Sequence, residues 1–131
     1  MLDIARFIEG DLNAPIVLIG EAPGEVEAAA GGAFIGPAGE LLTQLLTSAG
    51  INRSRCRLDN VFQFHPAGNN LSPYISFSSK GVARISSIYE QQVDALRRRL
   101  SATSAKVFIP LGNISLYALT GIHGILKRRG S

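Results

Sequence analysis

Apolar positions along the chain fall into short continuous runs separated by amphipathic stretches. Residues 15–20, PIVLIG, form an apolar, β-branched run that stops at Gly20, the pattern of a buried strand in a parallel sheet. Arg57–Phe64 (RLDNVFQF) and Lys106–Leu111 (KVFIPL, closed by Gly112) predict a second and a third strand. Between the first two, Leu41, Leu42, Leu45, Leu46 and Ala49 recur at helical spacing and Gly50 supplies the stop. Between the second and third, Ile85, Ile88, Tyr89, Val93, Leu96 and Leu100 predict a longer helix with Glu90 and Asp94 on its outer side. A further helix follows Gly112, with Asn113 as its N-cap and Ile114, Tyr117 and Ala118 facing inward.

Strands that alternate with helices predict a three-layer α/β/α sandwich with a parallel central sheet. Ligands in such folds lie beyond the carboxyl ends of the strands. That rule selects the loop Glu21–Gly39, the loop His65–Lys80, and Gly112 with Asn113. Residues 68–81 read as a polar, Ser/Asn-rich loop.

A length of 131 residues accommodates one domain. With 46% hydrophobic and 18% charged residues the chain has enough apolar surface to fold. No stretch approaches the roughly 20 apolar residues that cross a bilayer, and Asp3, Arg6 and Glu9 follow Met1 where a signal peptide would be apolar; a cytoplasmic protein with no membrane contact is expected. Cys56 is the single cysteine, so a small buried hydrophobe is expected there, and no metal site. A net charge of +3 is compatible with a polyanionic partner without requiring one. Arg97, Arg98 and Arg99 read as a solvated face, and Lys127, Arg128 and Arg129 form a second basic cluster.

The first loop, GEAPGEVEAAAGGAFIGPAGELL, carries glycines at positions 20, 24, 31, 32, 36 and 39 and two prolines. Glycines allow positive φ and close backbone approach to a ligand, and exposed N–H groups near a helix start attract anions. The loop is neither GxGxxG nor GxxxxGK, which argues against a dinucleotide or P-loop nucleotide site.

GEAPGEVE, GAFIGPAGELL, DNVFQFHPAGNN and IPLGNISLYALTG occur in that order along the chain. Together they resemble the family 4 uracil-DNA glycosylases and, among these, the DNA polymerase-related proteins of certain phages. The resemblance runs from Pro15 to about Ser131. It implies Glu21 and Glu27 at the edge of a uracil pocket, Phe34 as the aromatic on which a flipped base stacks, Asn60 as the amide that reads the uracil edge, and Asn69 as a further polar contact. Glu21 and Asn60 would carry the catalytic roles. Ala22 stands where other branches of the superfamily carry a water-activating aspartate.

Each position also has a plainer reading. Phe34 suits a core position, Asn60 a turn, and Glu21 a partner for a helix N-terminus; Glu27 and Asn69 are evenly balanced. His65 and His123 read as structural. Chemically the pocket reading is coherent, because an enzyme acting on a base must extrude it and hold it by stacking and by hydrogen bonds to its Watson–Crick edge. Asparagine offers both a donor and an acceptor, matching O4 and N3–H of uracil where cytosine presents the reverse.

Two departures qualify the resemblance. Family 4 enzymes hold an iron–sulfur cluster on four cysteines, and Phe64 stands at a ligand position here, so no cofactor is expected. The family's histidine in a later HP-containing motif, after a fourth strand, lies outside these 131 residues. The resemblance therefore implies a single domain over residues 1–131 that is incomplete at its C-terminus and lacks its last edge strand. Its parent reaction would be hydrolysis of the N-glycosidic bond in uracil-containing DNA during base excision repair, slow or absent in these residues alone. The alternatives are a non-catalytic nucleic-acid-binding module associated with a phage-type DNA polymerase and, on the glycine-rich loop alone, a mononucleotide-binding regulatory domain.

Overall fold

A computed structural model describes residues 7–120. Three parallel strands form the central sheet: β1 (Ile16–Gly20), β2 (Cys56–Asn60) and β5 (Val107–Pro110), in the order β2-β1-β5. Around them run α1 (Glu25–Ala30), α2 (Pro37–Ser48), α3 (Ser87–Ser101) and α4 (Asn113–Thr120), with a small antiparallel hairpin of β3 (Ile75–Phe77) and β4 (Ala83–Ile85).

Successive strand residues point to opposite faces, and the core divides accordingly. Val17 and Ile19 pack with Val61, Phe62, Tyr89, Val93, Leu96 and Ala118 on the face covered by α3 and α4. Leu18, Cys56 and Leu58 pack with Ala33 and Leu46 on the opposite face, under α2. The sandwich is therefore the three-layer α/β arrangement expected from the alternation of elements.

Several elements differ from the sequence expectation. The second strand ends at Asn60, not Phe64, because Phe62 leaves the sheet to join a ring cluster with Phe64, Tyr74 and Tyr89, at centroid distances of 5.5, 5.8 and 6.1 Å. The polar loop 68–81 contains the β3 strand, and Ile85 lies in β4 instead of opening the helix. That helix starts after Ser86, whose hydroxyl accepts from the Tyr89 amide at 3.2 Å. Leu41, Leu45 and Ile88 are exposed, leaving Leu46 as the buried leucine of α2. Asn113 is not a cap: it is the first residue of α4, and the Gly112 carbonyl accepts from Leu116. The first loop is also less irregular than its composition suggests, since it contains α1 and the start of α2.

Arg99 is no part of a solvated face. Its guanidinium pairs with Asp59, which is 0% exposed, at 3.0 Å. The N-terminal segment covers part of the outer edge of β2, where Glu9 and Leu58 exchange backbone hydrogen bonds of 2.9 and 2.8 Å. His123 and the basic cluster at 127–129 lie outside the described residues. No helix among the described residues is long and apolar enough to cross a membrane.

Candidate functional site

Gly20 and Asn60 end β1 and β2 and are register partners in the sheet. Asn60 is 2% exposed and faces the α2 side of the sheet with Leu58, two residues earlier. Phe34, from the loop between α1 and α2, lies against the same spot. A Cβ on Gly20 would sit 2.5 Å from Phe34 Cζ and 2.8 Å from Asn60 Oδ1. The missing side chain of Gly20 therefore admits the ring and the amide side by side.

Phe34 is held in an uncommon backbone conformation, with φ +55°, which costs a non-glycine residue energy unless its surroundings impose it. Arg53 imposes it. Its Nη1 donates to the Phe34 carbonyl at 3.0 Å, the Gly39 carbonyl at 3.3 Å and Thr43 Oγ1 at 2.9 Å, while Nη2 donates to the Ala33 carbonyl at 2.9 Å. Glu9 accepts from Nε and Nη2 at 3.0 and 2.7 Å, which aims the fork. Gly39 is equally constrained, because a Cβ there would overlap the Phe34 carbonyl.

Glu27 organises the other wall. One carboxylate oxygen accepts from the Gly24 amide at 3.1 Å, closing the first turn of α1, and the other accepts from Ile35 and Gly36 at 2.8 and 3.0 Å. Burial opposes its ionisation, but the amides of Gly36, Ile35 and Gly24 outweigh burial and hold its carboxyl below the ordinary carboxylate range. The carboxylate thus ties the start of α1 to the N-cap of α2, with Phe34 between them.

These pieces enclose a cleft of about 290 Å³ lined by Ala22, Pro23, Glu27, Phe34 and Asn60, among others. Of the expected site residues, Glu27, Phe34 and Asn60 come together there. Glu21 is not among the lining residues: its carboxylate accepts the Ile114 amide at 2.9 Å and caps α4, and a Cβ on Gly112 would collide with it. Asn69 is exposed in a single 3-10 turn, Ala67–Asn69, with φ +58° and also lies outside the cleft lining. His65 bridges the first and second loops, its Nδ1 lying 2.9 Å from the Pro23 carbonyl.

A family model for the uracil DNA glycosylase superfamily matches residues 7–130. The chain belongs to that superfamily. It is 34% identical to a type-4 uracil-DNA glycosylase of Pyrobaculum aerophilum over 88% of this chain and 53% of that protein. It is 36% identical to the type-4 enzyme of Archaeoglobus fulgidus over 67% of this chain and 42% of that protein. To the type-4 enzyme of Thermotoga maritima it is 46% identical over 47% of this chain and 32% of that protein. The chain therefore spans about half the length, or less, of these relatives.

Family 4 membership raises the question of an iron–sulfur cluster, and the residues present do not fit one. A cluster needs several thiolates, whereas Cys56 is the single cysteine of the chain and is 1% exposed within β2. Burial raises the Cys56 thiol pKa, against the opposing charges of Arg53 and Arg55. At the expected ligand position the Phe64 ring packs edge-on to Phe62 and Tyr74.

Sequence reasoning missed Gly20, Gly39, Arg53, Asp59 and Arg99. The glycines carried a weak signal as members of a glycine-rich loop, and the G-x-x-E spacing of Gly24 and Glu27 resembles a capping box. Nothing local to Arg53 or Arg99 separates them from surface arginines.

Proposed function

We propose that this cleft receives a uracil extruded from DNA and that the domain serves N-glycosidic hydrolysis, releasing uracil and leaving an abasic site. The observation that carries the reading is the placement of the Phe34 ring and the Asn60 amide around the absent side chain of Gly20. A volume of about 290 Å³ lies at the small end of ligand pockets, which run to about 300–1,000 Å³; it suits one planar base better than a whole nucleotide. Phe34 supplies the stacking face. Asn60 Nδ2 donates one hydrogen to the Phe7 carbonyl at 3.3 Å, leaving the second for uracil O4 and Oδ1 for N3–H. Cytosine would strand these buried groups, at about 1–3 kcal/mol for each mismatch.

Chemistry in this cleft is electrostatic. Ala22 offers no base to activate water, and the Glu21 and Glu27 carboxylates each accept backbone amides. Asn60 stabilises the negative charge that develops on the departing uracil, in a site already organised before the reaction. Among the described residues lining the cleft, no histidine is present to donate to the leaving base. Loss of one such donor costs about 10²–10³ in rate, so the described cleft residues by themselves support uracil binding with slow turnover.

Calorimetric titration with uracil and cytosine, together with abasic-site cleavage of a single-stranded oligonucleotide bearing one deoxyuridine, tests the reading. Uracil is expected to bind in preference to cytosine, and Asn60→Ala to abolish that preference. Equal affinity for both bases in the native chain would overturn the proposal. Uracil binding with no release of base from the oligonucleotide would assign the domain to recognition without catalysis.

A further inference from the structure

We infer that Asp59 and Arg99 are positioning residues for Asn60, holding the peptide unit that aims its amide into the cleft. The inference rests on the uracil reading for its consequence, and on the hydrogen bonds around Asn60 for its substance.

β2 is an edge strand, since the sheet order is β2-β1-β5. Residues two apart present their main-chain groups to the same edge. Leu58 satisfies its outward amide and carbonyl through Glu9. At Asn60, two residues on, no strand among the described residues pairs with this edge, and side chains take its place. The Asn60 amide donates to Asp59 Oδ1 at 2.7 Å, and its carbonyl accepts from Arg99 Nη2 and Gln63 Nε2, both at 3.2 Å.

The two side chains are themselves locked. Arg99 Nε donates to Asp59 Oδ2 and Nη2 to Asp59 Oδ1, each at 3.0 Å, in a fork that a point charge could not reproduce. Gln63 Nε2 donates to Asp59 Oδ1 at 3.1 Å, and its Oε1 accepts the Phe7 amide at 3.0 Å. The Phe7 carbonyl in turn receives Asn60 Nδ2. Both the main chain and the side chain of Asn60 therefore end in one network anchored by the ion pair. Strand alternation places Asp59 on the α3 face while Asn60 faces the cleft, so the pair acts from behind the sheet and touches no ligand.

A buried ion pair is a poor way to gain stability compared with apolar packing. Its suitability here is directional, because a bidentate pair fixes the peptide to which it is bonded. In a reacting site, misplacing a group by about 1 Å can cost about 10²-fold in rate, so the aim of the Asn60 amide matters.

Arg99→Lys keeps the charge and loses the fork; Asp59→Asn keeps the shape and loses the charge, and serves if the first variant does not fold. The readouts are the side-chain amide resonances of Asn60 in ¹⁵N spectra, identified by their absence in Asn60→Ala, and calorimetric affinity for uracil. Each folded variant is expected to shift or broaden the Asn60 side-chain resonances and to weaken uracil binding about tenfold to a hundredfold, the loss that follows when a hydrogen bond to a buried polar group goes unmade. Affinity for a single-stranded oligonucleotide without uracil should not change, and adding Arg99→Lys to Asn60→Ala should cause no further loss of uracil binding. Unchanged Asn60 resonances in both variants, or an equal loss in the Asn60→Ala background, would overturn the inference. Failure of the native chain to bind uracil would count against the uracil reading alone, since the resonances still decide whether the pair holds Asn60.

Discussion

Arg53 donates to the carbonyl of Phe34 at 3.0 Å across 19 residues of sequence, and so holds the aromatic wall of the cleft in a left-handed backbone conformation. The Glu9 carboxylate aims the guanidinium but is itself well exposed, at 38%, and an exposed partner contributes little to stability. The contribution of Arg53 therefore lies in its bonds to Ala33, Phe34 and Gly39. Arg53→Ala should destabilise the fold by about 1–3 kcal/mol, the cost of a buried carbonyl losing its donor. Arg53→Lys should recover the charge without restoring uracil affinity. Urea denaturation and uracil titration of both variants check this.

Gly20→Ala tests the cleft from within the sheet. The added methyl meets Phe34 Cζ and Asn60 Oδ1 together, and overpacking of this kind costs about 1–3 kcal/mol. The neighbours that must yield are the proposed stacking ring and reading amide. Uracil affinity should therefore fall much further than stability. A variant that binds uracil as the native chain does would place the base elsewhere.

Glu27 makes stability depend on acid pH. Its folded carboxyl titrates below the ordinary value of 4.5, so above that pH both folded and unfolded chains are ionised and its contribution is complete. As pH falls, the unfolded chain takes up its proton first, and the contribution is lost progressively through the lower folded pKa. Glu27→Gln should flatten the dependence of the urea midpoint on pH below about 4.5, with the remaining slope belonging to other carboxylates.

Tyr89 sets a limit at the alkaline end. Burial pushes its phenol up to about 12, with Tyr117 adding to the shift and Arg97 opposing it. The unfolded chain releases this proton near 10, so the contribution is complete below that pH and is lost as pH rises towards about 12. Ultraviolet titration of the three tyrosines should show one ionising last, and Tyr89→Phe should remove that step and reduce the fall in stability.

Hydrophobic runs and their spacing determined the layers of this protein. PIVLIG, KVFIPL and the periodic leucines and isoleucines predict a parallel sheet between helices because burial of apolar faces is a local, periodic demand. The same runs selected the loops at the carboxyl ends of the strands as candidates, and the ordered motifs pointed to Phe34, Asn60 and Glu27, which line one cleft. Tertiary structure decided the rest. Whether RLDNVFQF continued as a strand past Asn60 depended on a ring cluster assembled from Phe62, Phe64, Tyr74 and Tyr89, which no local pattern encodes. Glu21 and Ile114 meet across 93 residues, so only the folded chain turns that carboxylate from the cleft to the start of α4. Arg98 and Arg99 are identical neighbours in sequence, yet one is exposed and the other reaches a fully buried Asp59. A charge reveals its purpose through the partner that balances it, and that partner is chosen by the fold.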